Sequence, residues 1–334
     1  MLLLFIIMLM TLLLLLYWDY MHKFHRVETF KRSGLKGPLT LPVLGCGLDA
    51  ISFKAENLLP YIGACHQKFG KTFRLWILND AQVFTIDARH FESILTSTTL
   101  LQKGQLYDML RPWLADGLLV SEGRKWHQRR KVFTPAFHFN VLENYVRIFD
   151  EQSSILVERM KQHADGVTTL DLFPIVCLAA LDVITETAMG VKVQAQLNAD
   201  FPYVKALKSV VYIQANRMLK FSQRYDWMFR LTAPGEYRKM IAAIRTMHDF
   251  TIKVIEERRA ALQKSKAEGT YKPLREADTD IIGSRPKMAL LDILLQSSID
   301  DKPLSNEDIR EEVDTFMFEG DDTTTIYKRA QLKF

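Results

Sequence analysis

Cysteine is scarce in this chain. The three present, Cys46, Cys65 and Cys177, include no Cys-x-x-Cys pair. An odd, scattered set gives no disulfide framework and fits a reduced domain facing the cytosol. With only 15 glycines and 11 prolines in 334 residues, collagen-like and disordered classes are excluded. No sign of charge dominates: 44 basic against 39 acidic residues leave a net +5, mild for this length. That balance favours a negative surface such as a membrane. With no module signature present, nucleic acid is not expected as a partner. The chain can bury a core in one large domain or two ordinary ones, and it contains no internal repeat.

Polar residues are almost missing from Met1–Tyr17, where Thr11 stands alone among Leu, Ile, Phe and Met. Insertion of the twelve Leu, Ile and Phe residues into a bilayer is favourable by roughly 4 to 7 kcal/mol. A cleaved signal peptide needs a basic start and a small-residue cleavage site, and neither occurs; Trp18-Asp-Tyr-Met-His follows the run. Lys23, Arg26, Lys31, Arg32 and Lys36 flank it on the C-terminal side. Residues 1–18 therefore read as a retained single-pass anchor with the bulk of the chain in the cytosol.

Residues 19–57 read as a basic flank and hinge, with two prolines between Gly37 and Gly45 preventing helix. Leu58–Phe69 reads as a helix stopped by Gly70. Thr72–Ile77 and Val83–Ile86, split by Asn79-Asp80, read as a hairpin, and a short helix follows Asp87. Beyond Asn140 the pattern is helical: Asn140–Gln162, Leu172–Met189 ended by Gly190, Phe201–Ser222, Gly235–Lys266 and Ala289–Ser298. A polar stretch covers 267–287. The expected fold class is mainly α with a small N-terminal β-sheet, preceded by one transmembrane anchor.

Two stretches carry chemistry. In the first, Pro303, Ser305 and Asp308 signal a helix start with a capping box, and a helix runs to Thr325. Val313, Phe316, Met317 and Gly320 share one face; Thr315, Glu319, Asp322 and Thr323 share another. Residue types alone allow a solvated acidic face. Gly320, beside Glu319, leaves room for a large group to approach the backbone. In the second, Gly123-Arg-Lys-Trp-His-Gln-Arg-Arg-Lys131 places Trp126 and Arg130 four apart on one helical face. An indole N–H and a guanidinium fork suit two carboxylates at the rim of a flat apolar ligand; a basic surface helix with one anchoring Trp is the plainer alternative.

Phe318-Glu-Gly-Asp-Asp-Thr-Thr-Thr325 resembles the oxygen-activating helix of the cytochrome P-450 heme-thiolate monooxygenases. With the preceding Glu-Val-Asp-Thr-Phe-Met it is close to their fourth family, the microsomal fatty-acid omega-hydroxylase branch. Pro112-Trp-Leu-Ala-Asp-Gly-Leu-Leu119, Arg130-Lys-Val-Phe-Thr-Pro-Ala-Phe-His-Phe139 and Ala180-Leu-Asp-Val-Ile-Thr-Glu-Thr-Ala-Met-Gly190 resemble the same branch. The resemblance implies a heme cofactor whose propionates Trp126 and Arg130 hold, and a Glu319 that can be esterified to a heme methyl. It implies that Asp322 and Thr323 manage protons for bound dioxygen. The implied partners are the endoplasmic reticulum membrane, a flavoprotein reductase and an apolar substrate, a fatty acid, hormone or xenobiotic. This chain has Asp321 where that branch has histidine.

The resemblance runs from the anchor to Thr325, making 58–325 the first part of the monooxygenase domain and 326–334 a divergent tail. The frame Phe-x-x-Gly-x-Arg-x-Cys, which supplies the family's iron-binding thiolate, does not occur. The three cysteines read instead as small buried hydrophobes. Glu256-Glu-Arg-Arg259 and Glu307-Asp-Ile-Arg310 match the family's Glu-x-x-Arg only in letters and read as surface ion pairs. Two expectations follow: a heme monooxygenase, or an inactive truncated relative or incomplete copy that does not turn over substrate as written. The latter carries a further expectation, that Phe316, Met317 and Phe318 lack partners on one side of their helix.

Overall fold

A computed structural model describes residues 2–41, 45–46, 55–77, 80–137, 139–167, 170–220, 223–270 and 289–331; for 321–331, and a few other helical residues, the backbone alone is described. The helices of seven or more residues are α1 (Leu2–Arg32), α2 (Ala55–Phe69), α3 (Ala88–Leu95), α4 (Gly123–Phe133), α5 (Val146–Lys161), α6 (Leu172–Ile184), α7 (Pro202–Leu219), α8 (Asp226–Thr232), α9 (Pro234–Ala267), α10 (Leu290–Gln296) and α11 (Asn306–Gln331). The strands are β1 (Thr72–Ile77), β2 (Asp80–Thr85), β3 (Ser298–Ile299) and β4 (Lys302–Pro303). The chain is mainly α with small sheets, as expected. It divides into two compact units, Met1–Leu101 with Gln214–Pro234, and Gln102–Ile213 with Gly235–Phe334.

In the first unit, α1 does not stop at residue 18. No glycine or proline interrupts the sequence before Gly34, whose φ of +70° marks its end, so the helix runs through Arg32. Its apolar side chains are exposed from Leu2 to Met21. The next turn is different in kind. Lys23, counted above with the basic flank, is buried, pairs with Asp19 at 2.7 Å and lies 5.9 Å over the Trp76 ring. Phe30 meets the same ring edge-on at 6.0 Å.

The hairpin forms with Thr72 opposite Thr85 and Ile77 opposite Asp80. β2 thus begins at Asp80, three residues before the expected Val83; Arg224, from far along the chain, pairs with the Asp80 carboxylate and supports it there. α3 follows Asp87 as expected, and Asp87 caps it, accepting from the Arg89 amide at 3.1 Å. Cys46 and Cys65 are buried with Phe73, Leu75 and Trp76, whereas Cys177, in the second unit, is only half-buried.

The second unit is built on α11. Ser305 and Asp308 form the expected capping box, each accepting from the other's backbone N–H at 3.1 and 3.2 Å. The helix continues to Gln331, beyond the expected end at Thr325. Ile309, Val313 and Met317 are fully buried, and α11 lies along α6. Phe316 packs on Phe133 and Phe137, and Phe318 sets its edge on Trp113 at 5.0 Å, so each neighbour of Met317 has a partner within this chain.

Several expected helices begin or end differently. The stretch from Asn140 starts with short turns before α5 begins at Val146. α6 gives way at Thr185–Met189 to a π turn that Gly190 closes at φ +71°. Its sequence is apolar enough to cross a membrane, yet more than half of it is buried here, as a core helix. Most of the polar stretch 267–287 lies outside the described residues.

Glu307 and Arg310 do pair, with Glu307 exposed at the surface as expected and Arg310 reaching it from the interior. Arg310 is buried and its second amine reaches Asp314 at 3.0 Å, where Thr251 also donates at 2.7 Å. Burial raises the pKa of Asp314, against the pull of His248, Thr251 and Arg310. Arg259 does not pair with Glu256; it donates to the Asn306 side chain and the Leu304 carbonyl.

Candidate functional site

α4 is a helix of polar residues held in place by charge. Arg124 pairs with Asp300 at 3.1 Å, Lys125 with Glu311 at 2.8 Å, and Arg129 with both Asp308 and Glu312. Residues 125 and 129, four apart, turn toward α11, and Phe133 continues that line onto Phe316. Asp300, at φ +50°, sits in the tight link between β3 and β4, a ladder not foreseen from the sequence, and also accepts from Gln128.

Trp126 and Arg130 lie one residue further round, about 100° from that contact line. Trp126 is half-buried against His127, with ring centroids 5.0 Å apart, and Arg130 is exposed. Among the described residues neither the indole N–H nor the guanidinium has a partner, although three neighbouring cations on the same helix are paired. A free planar fork beside a free N–H is a fit for two carboxylates, which is the donor set a heme's propionates require.

Glu319 lies on α11 seven residues after Glu312, about two turns or 10 Å along the axis. It is half-buried; burial raises its pKa and the charge of Lys103 works against the rise. Gly320 does leave room beside it, but the space is taken by the protein. A Cβ there would stand 2.6 Å from Ile184 Cγ1, so it is α6 that approaches this backbone. Asp322 and Thr323 follow on the same helix, and their side chains lie outside the described residues.

The sequence reading missed the groups that join the two helices. Glu312 is fully buried, and one oxygen accepts from the Leu118 amide at 2.9 Å. Desolvation pushes its pKa up to about 7, outweighing the Leu118 amide and Arg129. Burial also raises the Asp308 carboxyl, but Ser305 and Arg129 win and hold it below the ordinary range. The signal available was the i, i+4 spacing of 125 with 129 and of 308 with 312, opposite in charge; what it lacks is which helix meets which. An apolar groove of about 430 Å³ runs between α5 and α6, lined by Phe149, Leu156, Val176, Val183 and, from α11, Gly320. No group of three His, Cys, Asp or Glu positioned to hold a metal occurs among the described residues.

Residues 35–328 match the family model for cytochrome P450. The chain is 60% identical over 314 residues to probable cytochrome P450 4d20 of Drosophila melanogaster, covering 94% of this chain and 61% of that protein. It is 56% identical to probable cytochrome P450 4d21, with the same coverage, and 47% to cytochrome P450 4d2, both from Drosophila melanogaster. The chain thus spans about three-fifths of the length of the curated relatives it matches.

Proposed function

Because this chain belongs to the cytochrome P450 family, we propose that it provides the anchor, the propionate-holding helix and the oxygen-side helix of a membrane-bound heme monooxygenase of the fatty-acid omega-hydroxylase branch. Its substrates are apolar molecules: fatty acids, hormones or xenobiotics. Electrons come from a flavoprotein reductase. Bound heme would supply dioxygen activation for insertion of one oxygen atom into an unactivated C–H bond.

The observation that carries this reading is the Trp126–Arg130 donor set, without a partner among the described residues, on a helix where Arg124, Lys125 and Arg129 are engaged. These two side chains hold the propionates and orient the cofactor edge. Glu319, with its carboxyl half out of water, would supply the oxygen of an ester to a heme methyl. That bond forms only when a peroxide takes two electrons and one hydrogen from the methyl and leaves as water. Asp322 and Thr323 would handle protons near the oxygen. The exposed apolar run of α1, with Lys31, Arg32 and Lys36 behind it, supports an endoplasmic reticulum anchor with the bulk in the cytosol.

The test has a binding arm and a coding arm. Hemin titrated into the detergent-solubilised chain should bind saturably, and Arg130→Ala should weaken binding about tenfold or more, the worth of a charge-assisted contact. Equal affinity in the two proteins would refute the propionate role. The transcript is then read beyond codon 334. A Phe-x-x-Gly-x-Arg-x-Cys frame supports the monooxygenase; a confirmed stop codon directly after Phe334 supports the inactive relative instead.

A further inference from the structure

α4 is tied to α11 by a buried charge pair where an apolar contact would hold as well. Removing two charges from water costs several kcal/mol per ion in practice, and buried ion pairs are often no more stabilising than packed hydrophobes. Phe133 against Phe316 already provides such packing one turn on. The pair does, however, have direction. Arg129 is 4% exposed, and its Nε lies 3.5 Å from one Glu312 oxygen while a second amine engages Asp308. The other Glu312 oxygen takes the Leu118 amide, so a single carboxyl holds the loop that leads into the helix by a hydrogen bond and the helix by charge alone. That loop lies hard on α11: a Cβ at Gly117 would stand 2.2 Å from Thr315 Oγ1 and 2.5 Å from the Glu311 carbonyl oxygen.

Such a grip constrains roll. A turn of α4 by about 20° on its axis moves a side-chain end lying 5–6 Å out by about 2 Å. A binding constellation works only within about 0.5 Å of its productive geometry. Arg130 is the neighbour of Arg129, and Trp126 the neighbour of Lys125, so any roll that frees the paired face misplaces both donors.

We propose that Glu312, acting through Arg129 and the Leu118 amide, is a positioning residue that fixes the roll of α4, so that Trp126 and Arg130 meet the two carboxylates of one planar cofactor together. This rests on the heme reading above. Glu312 does not touch the cofactor; it determines how well the residues that do touch it can recognise carboxylate.

Hemin and hemin dimethyl ester, which lacks both carboxylates, separate that role from general stability. They are titrated into the solubilised chain at mildly alkaline pH, with thermal unfolding recorded alongside. The native chain should prefer hemin about tenfold or more. Glu312→Gln should remain folded, with the preference reduced toward that of Arg130→Ala. A merely structural role would weaken both ligands alike and leave their ratio unchanged. An unchanged ratio in a folded Glu312→Gln overturns this inference alone. No preference in the native chain overturns the heme reading, and this inference with it. Should Glu312→Gln fail to fold, Arg129→Lys, which keeps the charge and loses the fork, carries the same expectation and the same refutation.

Discussion

At the scale of single residues, the least comfortable group in the helix tie is Glu312. Its folded pKa of about 7 stands above an ordinary 4.5 because burial outweighs its partners. A carboxyl raised in this way favours the folded state fully below the unfolded pKa and loses that contribution as pH climbs through the folded one. The window is therefore pH 4.5 to 7, and the loss amounts to about 3 to 4 kcal/mol at roughly 1.4 kcal/mol per unit. Glutamine cannot ionise, so the stability of Glu312→Gln relative to the native chain should rise across that window and level off above it. Denaturant unfolding of both proteins along a pH series measures the gap. A gap that stays constant with pH would show that Glu312 ionises freely in the fold. Other carboxyls, Glu307 and Asp308 among them, titrate in both proteins and cancel in the difference.

At the scale of elements, the contact of α11 with α6 depends on the missing side chain at residue 320. An Ala there would ordinarily gain about 1 kcal/mol of helix propensity, but a Cβ 2.6 Å from Ile184 Cγ1 brings overpacking of about 1–3 kcal/mol. Gly320→Ala should therefore destabilise the unit on balance. In an Ile184→Ala background Cγ1 and Cδ1 are gone and only the Cβ remains, at 3.0 Å, so the same substitution should destabilise less. Unfolding free energies of the two singles and the double mutant test this; strict additivity would mean the helices adjust at no cost.

The same two helices mark what the sequence discloses and what it withholds. The capping box of Ser305 and Asp308 is legible because its partners stand three residues apart. The Trp126–Arg130 face is legible for the same reason. Asp308 as a partner of Arg129 is not, since 179 residues separate them. The start of β2 at Asp80 is hidden likewise, because the supporting Arg224 lies 144 residues on. The apolar face of Gly320 could be read from periodicity, but not that Ile184 fills the space. Local chemistry fixes elements, and pairings between distant ones decide which charges are spent on structure and which remain for a ligand.

At the scale of the whole molecule, the N-terminal helix is the longest exposed apolar feature among the described residues. The side chains exposed from Leu2 to Met21 form a continuous apolar surface that water does not tolerate at this length. Microsomes containing the chain should keep it in the pellet after carbonate washing. Its appearance in the soluble fraction would show that the helix is buried against protein instead.

The unbroken passage of α1 from that apolar surface into a folded core has a mechanical meaning. Its 31 residues make a rod of about 46 Å, whereas about 20 residues suffice to cross 30 Å of hydrocarbon. The surplus is clasped by Trp76, with Lys23 above the ring and Phe30 at its edge. The stretch between Gly37 and Gly45, the expected hinge, comes only after that clasp, too late to uncouple the rod from the sheet. With residues 2–21 embedded, a change in bilayer thickness alters the tilt of the rod. No joint absorbs it, and the torque is delivered to Trp76 in β1. In a bilayer the lipid would thereby become a mechanical input to this unit, with α1 as its lever arm.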